Sequence, residues 1–291
     1  MMKTYHIISN PIAGKNKAKK NVKIVESVLQ ERGVNFCTHY SHAVGDATQI
    51  VKALTLAGET EIVALGGDGT LHEVLNGIAD TSVCNLGLIP SGTGNDFAEK
   101  IGISLDAKKA VETILDGEAK DTDFLEVGGV RCMNVAGLGI DVDVLERCKR
   151  GKMKGKLKYL MSLVRSLFTY KGCEMEICVG ETKETRKVLI ATACNGAQFG
   201  GGIKICPTAQ VDDGEIDAII VDCIGGKWNI VKAFIALLKG KILQYPLVKH
   251  ITCDSLRFCP QKPCTVQLDG ELYKDLQFNV KLCKGLRFYR P

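Results

Sequence analysis

A chain of 291 residues is too long for one small core and suits one large or two ordinary domains. Its 38 basic and 33 acidic residues leave a formal charge of +5, far from the dense Lys/Arg stripe of a nucleic-acid binder, so no nucleic-acid partner is expected. The 13 cysteines, spread from Cys37 to Cys283 with no C-x-x-C pair and no His partner at zinc-finger spacing, argue against a disulfide framework or structural zinc site and for free thiols in a reducing cytoplasm.

The N-terminus offers Lys3 and then only "YHII" before Ser9, too little for a signal peptide. Up to about Val127 apolar strand-like runs alternate with segments of helical period. "TYHIIS" leads to a Lys-rich helix ending near Gly33, "VNFCTHY" to "DATQIVKALTLAG", "EIVAL" to "LHEVLNGIA", and "LGLIP" to "NDFAEKIG". Repeated βα units of this kind build a parallel sheet covered by helices, and ligands bind outside the carboxyl ends of its strands. Beyond Val127 the chain reads mostly as strands: "CEMEICVG", "TRKVLIATAC", "DGEIDAIIVDC", "SLRFC", "CTVQLDG", "LQFNVKLC" and "GLRFY" show period-two apolar positions. Two helices interrupt them, about Met153 to Tyr170 and about Lys227 to Gly240. The second is the most apolar helix, and its lysines rule it out as a membrane span.

Three glycine-bearing loops fall at strand ends of the first half: "NPIAGK" (Asn10 to Lys15), "GGDGT" (Gly66 to Thr70) and "SGTGND" (Ser91 to Asp96). Each alone could be an ordinary βα turn. A glycine loop that opens a helix also gathers backbone N–H groups at the positive end of the helix dipole, which suits a phosphate. None of the three fits the P-loop or the G-x-G-x-x-G dinucleotide pattern.

The set "NPIAG", "GGDGT", "GTGNDFA", continued by "MNVAGLGIDVDV", "CNGAQFGGGIKICPTAQVDDGEID" and "VQLDGE", closely resembles the diacylglycerol kinase catalytic-domain family with its bacterial soluble lipid-kinase relatives. The resemblance implies an α/β fold, with a Rossmann-like ATP-binding domain over 1–127 and a β-sandwich lipid-substrate domain over 128–283. The strand at about 284–291 is expected to return to the first domain, and the active site is expected in the interdomain cleft. The implied activity is transfer of the ATP γ-phosphate to a lipid hydroxyl, diacylglycerol being the leading candidate. Another lipid, NAD, or an inactive nucleotide-binding regulator are the alternatives.

Carried over residue by residue, the nucleotide site falls on Asn10, Pro11, Ile12, Ala13 and Gly14, on Ser41, on Gly66, Gly67, Asp68, Gly69, Thr70, Leu71 and His72, and on Thr93. His72 departs from the family, which usually carries Asn there. Asp68 is expected to order the loop or hold Mg²⁺ rather than touch phosphate. The Mg²⁺ motif maps to Gln210, Asp213 and Glu215, with Asp212 as a neighbour; an ordinary Asp-Gly turn is the plainer reading. The proton acceptor maps to Glu271, with Asp269 as runner-up or supporting partner.

The segment Arg147 to Lys171 holds nine basic residues and no acidic ones. Leu157, Leu160, Met161, Val164, Leu167 and Phe168 recur at helical spacing, which predicts a helix with one core face and one solvated face, or a basic amphipathic surface for anionic lipid. The expected location is cytoplasmic with transient membrane contact, and the sequence leaves open whether the chain is a monomer or a homodimer.

Overall fold

The computed structural model describes residues 3–150, 156–223 and 226–291. The chain divides into two compact units, residues 1–123 with 284–291, and residues 124–283.

In the first unit the strands β1 (Thr4–Ser9), β2 (Asn35–Tyr40), β3 (Glu61–Gly66) and β4 (Asn85–Pro90) alternate with the helices α1 (Ala13–Glu31), α2 (Asp46–Leu56), α3 (Asp68–Gly77), α4 (Asp96–Lys100) and α5 (Ala107–Asp116). All pairings are parallel, in the order β4–β3–β1–β2. Parallel strands need a crossover, and each βα step supplies one. Every residue of β3 is buried, as expected of a central strand covered on both faces. The helix α5, built on Ala107, Ala110, Val111 and Ile114 facing the core, was not anticipated from sequence.

The chain end returns to this unit: Arg287 and Phe288 pair in parallel with Asn85 and Leu86 of β4, and the Phe288 ring meets Phe97 edge-on at 5.5 Å. The buried Glu61 carboxylate accepts from the Tyr289 hydroxyl at 2.7 Å and the Asn85 amide at 2.8 Å, and pairs with Lys3 at 2.9 Å. A buried charge is tolerated only when its lone pairs are met in this way.

The second unit is antiparallel. Its strands, entered through β5 (Ala119–Val127), are β6 (Val130–Cys132), β7 (Val135–Gly139), β8 (Cys173–Val179), β9 (Thr182–Cys194), β10 (Gln198–Phe199), β11 (Ile203–Lys204), β12 (Ile216–Asp222), β13 (Val248–Cys253), β14 (Ser255–Pro260), β15 (Val266–Leu268), β16 (Glu271–Tyr273) and β17 (Phe278–Tyr289). The long β9 belongs to two layers: its first part pairs with β8, and its last part with β7 and β12. One core cluster, with Leu138, Ala191, Ile220 and Phe258, lies on one face of the pleat; another, with Val135, Ile190, Ile219 and Val221, lies on the other. Alternation along β7, β9 and β12 assigns successive side chains to these two cores. "LQFNVKLC" and "GLRFY" form one continuous strand, and β13 was not foreseen.

Among the described residues three helices, where two were expected, join the second core: α6 (Ile140–Arg150), α7 (Lys156–Thr169) and α8 (Gly226–Leu238). The predicted residues 153–155 of the middle helix, and the side chains of Leu157 and Leu160, lie outside the described residues. Leu163 and Leu167 face the core, whereas Met161, Val164 and Phe168 are exposed, so the apolar stripe read from spacing is divided between core and surface. At about 100° per residue those positions fit within about 120° of arc, but the buried face, which includes Leu163, Ser166 and Leu167, is rotated away from the centre of that stripe.

Candidate active site

The first unit gathers its three glycine loops on one rim. After β1, the Asn10 side chain accepts the Ile12 N–H at 3.2 Å, and Gly14, Lys15 and Asn16 follow in left-handed conformations with φ of 58°, 57° and 72°. A Cβ at Gly14 would lie 2.0 Å from the Ser91 carbonyl oxygen, so the first and third loops touch at a place that admits only glycine. Gly67 and Gly92 meet in the same manner, a Cβ on Gly67 falling 2.9 Å from the Gly92 Cα. Asp68 opens α3, and its carboxylate accepts the N–H groups of Asn95 at 2.8 Å and Phe97 at 3.4 Å. It therefore binds the second loop to the third.

The other carried-over positions divide by environment. Ser41 is buried, and both its N–H (3.0 Å) and its hydroxyl (3.5 Å) reach the Ser9 carbonyl, which ties the end of β2 to the end of β1. Thr70, Leu71 and His72 are buried in α3, with Thr70 packed beneath the Gly66 backbone. Thr93 and Ile12 are exposed, and Asn10, Pro11 and Ala13 are half-buried.

In the second unit "LDGE" is a two-residue hairpin turn between β15 and β16, with Asp269 and Gly270 at φ of 52° and 90°. The Asp269 carboxylate accepts the N–H groups of Met133 (2.8 Å), Asn134 (2.8 Å) and Val135 (3.3 Å), and the Cys132 thiol at 3.2 Å. Both of its oxygens are occupied in holding the approach to β7. Glu271, two residues on, has its side chain 48% exposed with Lys149 Nζ 3.6 Å away. A carboxylate in solvent contact can take a proton; one saturated by backbone donors is a poor base.

Gln210, Asp213 and Glu215 are all exposed, and Asp213 uses one oxygen on the Glu215 N–H at 3.1 Å, the Asx turn that the Asp-Gly pair predicts. Their oxygens are hard donors open to water, which fits a Mg²⁺ ion that keeps several waters.

Sequence reading passed over Asp141. It is buried in α6 beside Gly137 and the Gln267 amide, and burial pushes its carboxyl up to about 7 against the smaller opposing pull of the Val142 N–H and Gln267. It is the polar residue in the wall of a cavity of about 50 Å³ otherwise lined by apolar side chains, among them Leu163, Phe199, Ile230, Phe234 and Leu237. A carboxylate set between Ile140 and Val142 in sequence was the available signal.

A parallel α/β unit with converging glycine loops, followed by a β-sandwich with a carboxylate hairpin, is the class of two-domain protein that the resemblance read from the sequence implies. Comparison with known proteins agrees with that class. The diacylglycerol kinase catalytic domain family matches residues 4–127, and the YegS C-terminal NAD kinase beta sandwich-like domain family matches residues 134–285. The chain is 30% identical over 279 residues to the diacylglycerol kinase of Bacillus subtilis (strain 168), which covers 93% of this chain and 90% of that protein. It is also 30% identical over 294 residues to the Xanthomonas campestris pv. campestris protein named "Probable lipid kinase YegS-like", with 96% and 94% covered. A crystal structure of a diacylglycerol kinase from Bacillus anthracis str. Sterne superposes with a TM-score of 0.80 at 23% identity, over 99% of this chain and 97% of that one, a likeness of fold. This chain belongs to the diacylglycerol kinase and YegS-like lipid kinase family.

Proposed function

We propose that the protein is an ATP-dependent kinase that phosphorylates a lipid hydroxyl, with diacylglycerol as the substrate and phosphatidic acid as the product. The observation that carries the reading is the convergence of the three loops through the Gly14–Ser91 and Gly67–Gly92 approaches, which presents backbone N–H groups where a polyphosphate needs close contact. The hydroxyl oxygen bonds to the γ-phosphorus as the bond from that phosphorus to the β–γ bridging oxygen breaks, and ADP leaves. Glu271 accepts the hydroxyl proton late in this step, as a loose phosphoryl-transfer transition state allows. Gln210, Asp213 and Glu215 would supply oxygen donors to Mg²⁺, which neutralises charge on the transferring phosphate when bound.

Two features support a lipid acceptor. The apolar cavity of about 50 Å³ under α7 and α8 has room for the tip of an acyl chain, with Asp141 in its wall. Among the described residues no helix is long and apolar enough to cross a membrane, yet α7 exposes Met161, Val164 and Phe168, and α8 exposes Trp228, Ile235 and Leu238. With the basic run from Arg147 to Lys171, these faces suit transient contact with an anionic bilayer surface.

The test is transfer of labelled phosphate from ATP, with Mg²⁺, to a panel of diacylglycerol, phosphatidylglycerol, sphingoid base, undecaprenol and NAD. Label in diacylglycerol is expected. Label in another lipid would revise the substrate alone, and label only in NAD would overturn the reading.

A further inference from the structure

In the second unit, three neighbouring strands place metal-binding side chains on one face. Asp217 of β12 lies opposite Cys194 of β9 on one side and opposite Thr252 of β13 on the other. His250 is two residues from Thr252 and so shares that face, and its Nε2 is 2.5 Å from an Asp217 carboxylate oxygen. Cys206 comes in from the segment after β11, fixed by its N–H to the Ala197 carbonyl (3.0 Å) and its carbonyl to the Ala209 N–H (3.2 Å). The donor atoms of Cys206, Asp217 and His250 all lie within 4.8 Å of one another.

The geometry points to a binding site for a borderline divalent cation of the zinc type, with Cys206, Asp217 and His250 as ligands and water in the fourth position. Zinc bonds of about 2.0–2.3 Å in a tetrahedron put donors roughly 3.3–3.8 Å apart. Side-chain rotation reaches that spacing from the observed cluster while the sheet register holds the backbone. The ion takes the place between His250 Nε2 and Asp217, the neutral imidazole carrying its proton on Nδ1, and the Cys206 thiol proton is released to solvent.

Charge and softness agree. A Cys206 thiolate, an Asp217 carboxylate and a neutral imidazole balance a divalent cation, and thiolate with imidazole selects zinc over Mg²⁺. Cys206 is buried, while the His250 side chain is 29% exposed and gives the ion a way in. A buried acid–imidazole pair by itself would not need the thiol.

The ligands Cys206 and Asp217 bracket the segment that carries Gln210, Asp213 and Glu215. An ion here closes that segment at both ends and fixes it, whatever the acceptor of the kinase reaction proves to be. The site is chemically distinct from the oxygen donors exposed along the segment itself.

The test is binding to the full-length protein, stripped with chelator and kept reduced with a phosphine. Co²⁺ is expected to bind one equivalent with thiolate-to-cobalt absorption and tetrahedral d–d intensity, and Zn²⁺ to displace it and raise the melting temperature. Cys206→Ser and the more exposed His250→Gln should each weaken binding by more than the ~10–100-fold typical of losing an outer partner. Cys178→Ser and Cys37→Ser, in the other two donor clusters, should leave it unchanged. Circular dichroism of each metal-free variant controls for folding, and His250→Gln carries the test if Cys206→Ser does not fold. Absence of a stoichiometric thiolate–cobalt complex, binding that survives in folded His250→Gln, loss in either control, or displacement by millimolar Mg²⁺ would each overturn the site.

Discussion

The two halves of the chain carry their chemistry differently. In residues 4–127 the candidate phosphate site is mostly backbone: Gly14, Gly67 and Gly92 lack side chains because other loops occupy that space, and Asp68 is an internal brace. In residues 134–285 the groups that matter are side chains set by strand register: Glu271 and Asp269 across one hairpin, and Asp217 and His250 across two strands with Cys206 beside them. A site made from main chain tolerates little change in shape, and one made from side chains tolerates changes in shape better than changes in chemistry. Substitutions in the two halves should therefore fail in different ways.

The largest expected effect tests the second half through pH. Asp141 stays protonated in the folded protein up to about 7, while in the unfolded chain it ionises near 3.8. Between those values the folded state binds the extra proton, so stability falls as pH rises through the window and stays at the lower level above it. The difference is on the order of 4 kcal/mol at 1.36 kcal/mol per unit. Urea midpoints measured from pH 4 to pH 8 should show this fall in the parent and a flatter profile in Asp141→Asn.

Asp269→Asn sharpens the difference between its role and that of Glu271. It weakens three backbone hydrogen bonds to a charged acceptor and should cost ~2–3 kcal/mol of stability, visible in thermal unfolding. An unchanged melting temperature would remove Asp269 from the bracing role.

Gly67→Ala probes the main-chain site. Its methyl would crowd the Gly92 Cα, so about 1–2 kcal/mol of strain is expected together with weaker ATP binding by calorimetry. Normal affinity in a folded variant would show that the loop approach does not shape a phosphate site. Tyr289→Phe, which deletes one donor to buried Glu61, is expected to cost about 1–2 kcal/mol in denaturant unfolding and to leave ATP binding unchanged, because it lies in the supporting sheet.

What was legible in sequence follows the same divide. Glycine loops at the ends of apolar runs announce themselves through turn chemistry, and the βα alternation that orders β1 to β4 has a clear period. Helix α6 was hidden because "GLGIDVDV" reads as alternation, although Ile140, Val144 and the buried Asp141 share a helical face. The stripe on α7 was misread because spacing alone does not say which of two apolar faces meets the core. The Cys206, Asp217 and His250 cluster could not be read from ligand spacing: the absence of a C-x-x-C pair argued against a zinc site, whereas this set is assembled by register between distant strands. Such clusters become visible only when strand partners are known.

The most direct test of the central claim, that the first half holds ATP while a side chain of the second half takes the proton, is Glu271→Gln measured for ATP affinity and for phosphate transfer to diacylglycerol together. The account predicts nearly unchanged ATP affinity and a loss of turnover of roughly 10²–10⁴-fold, the range of a general base. A Glu271→Gln protein that transfers phosphate at the parent rate would contradict it.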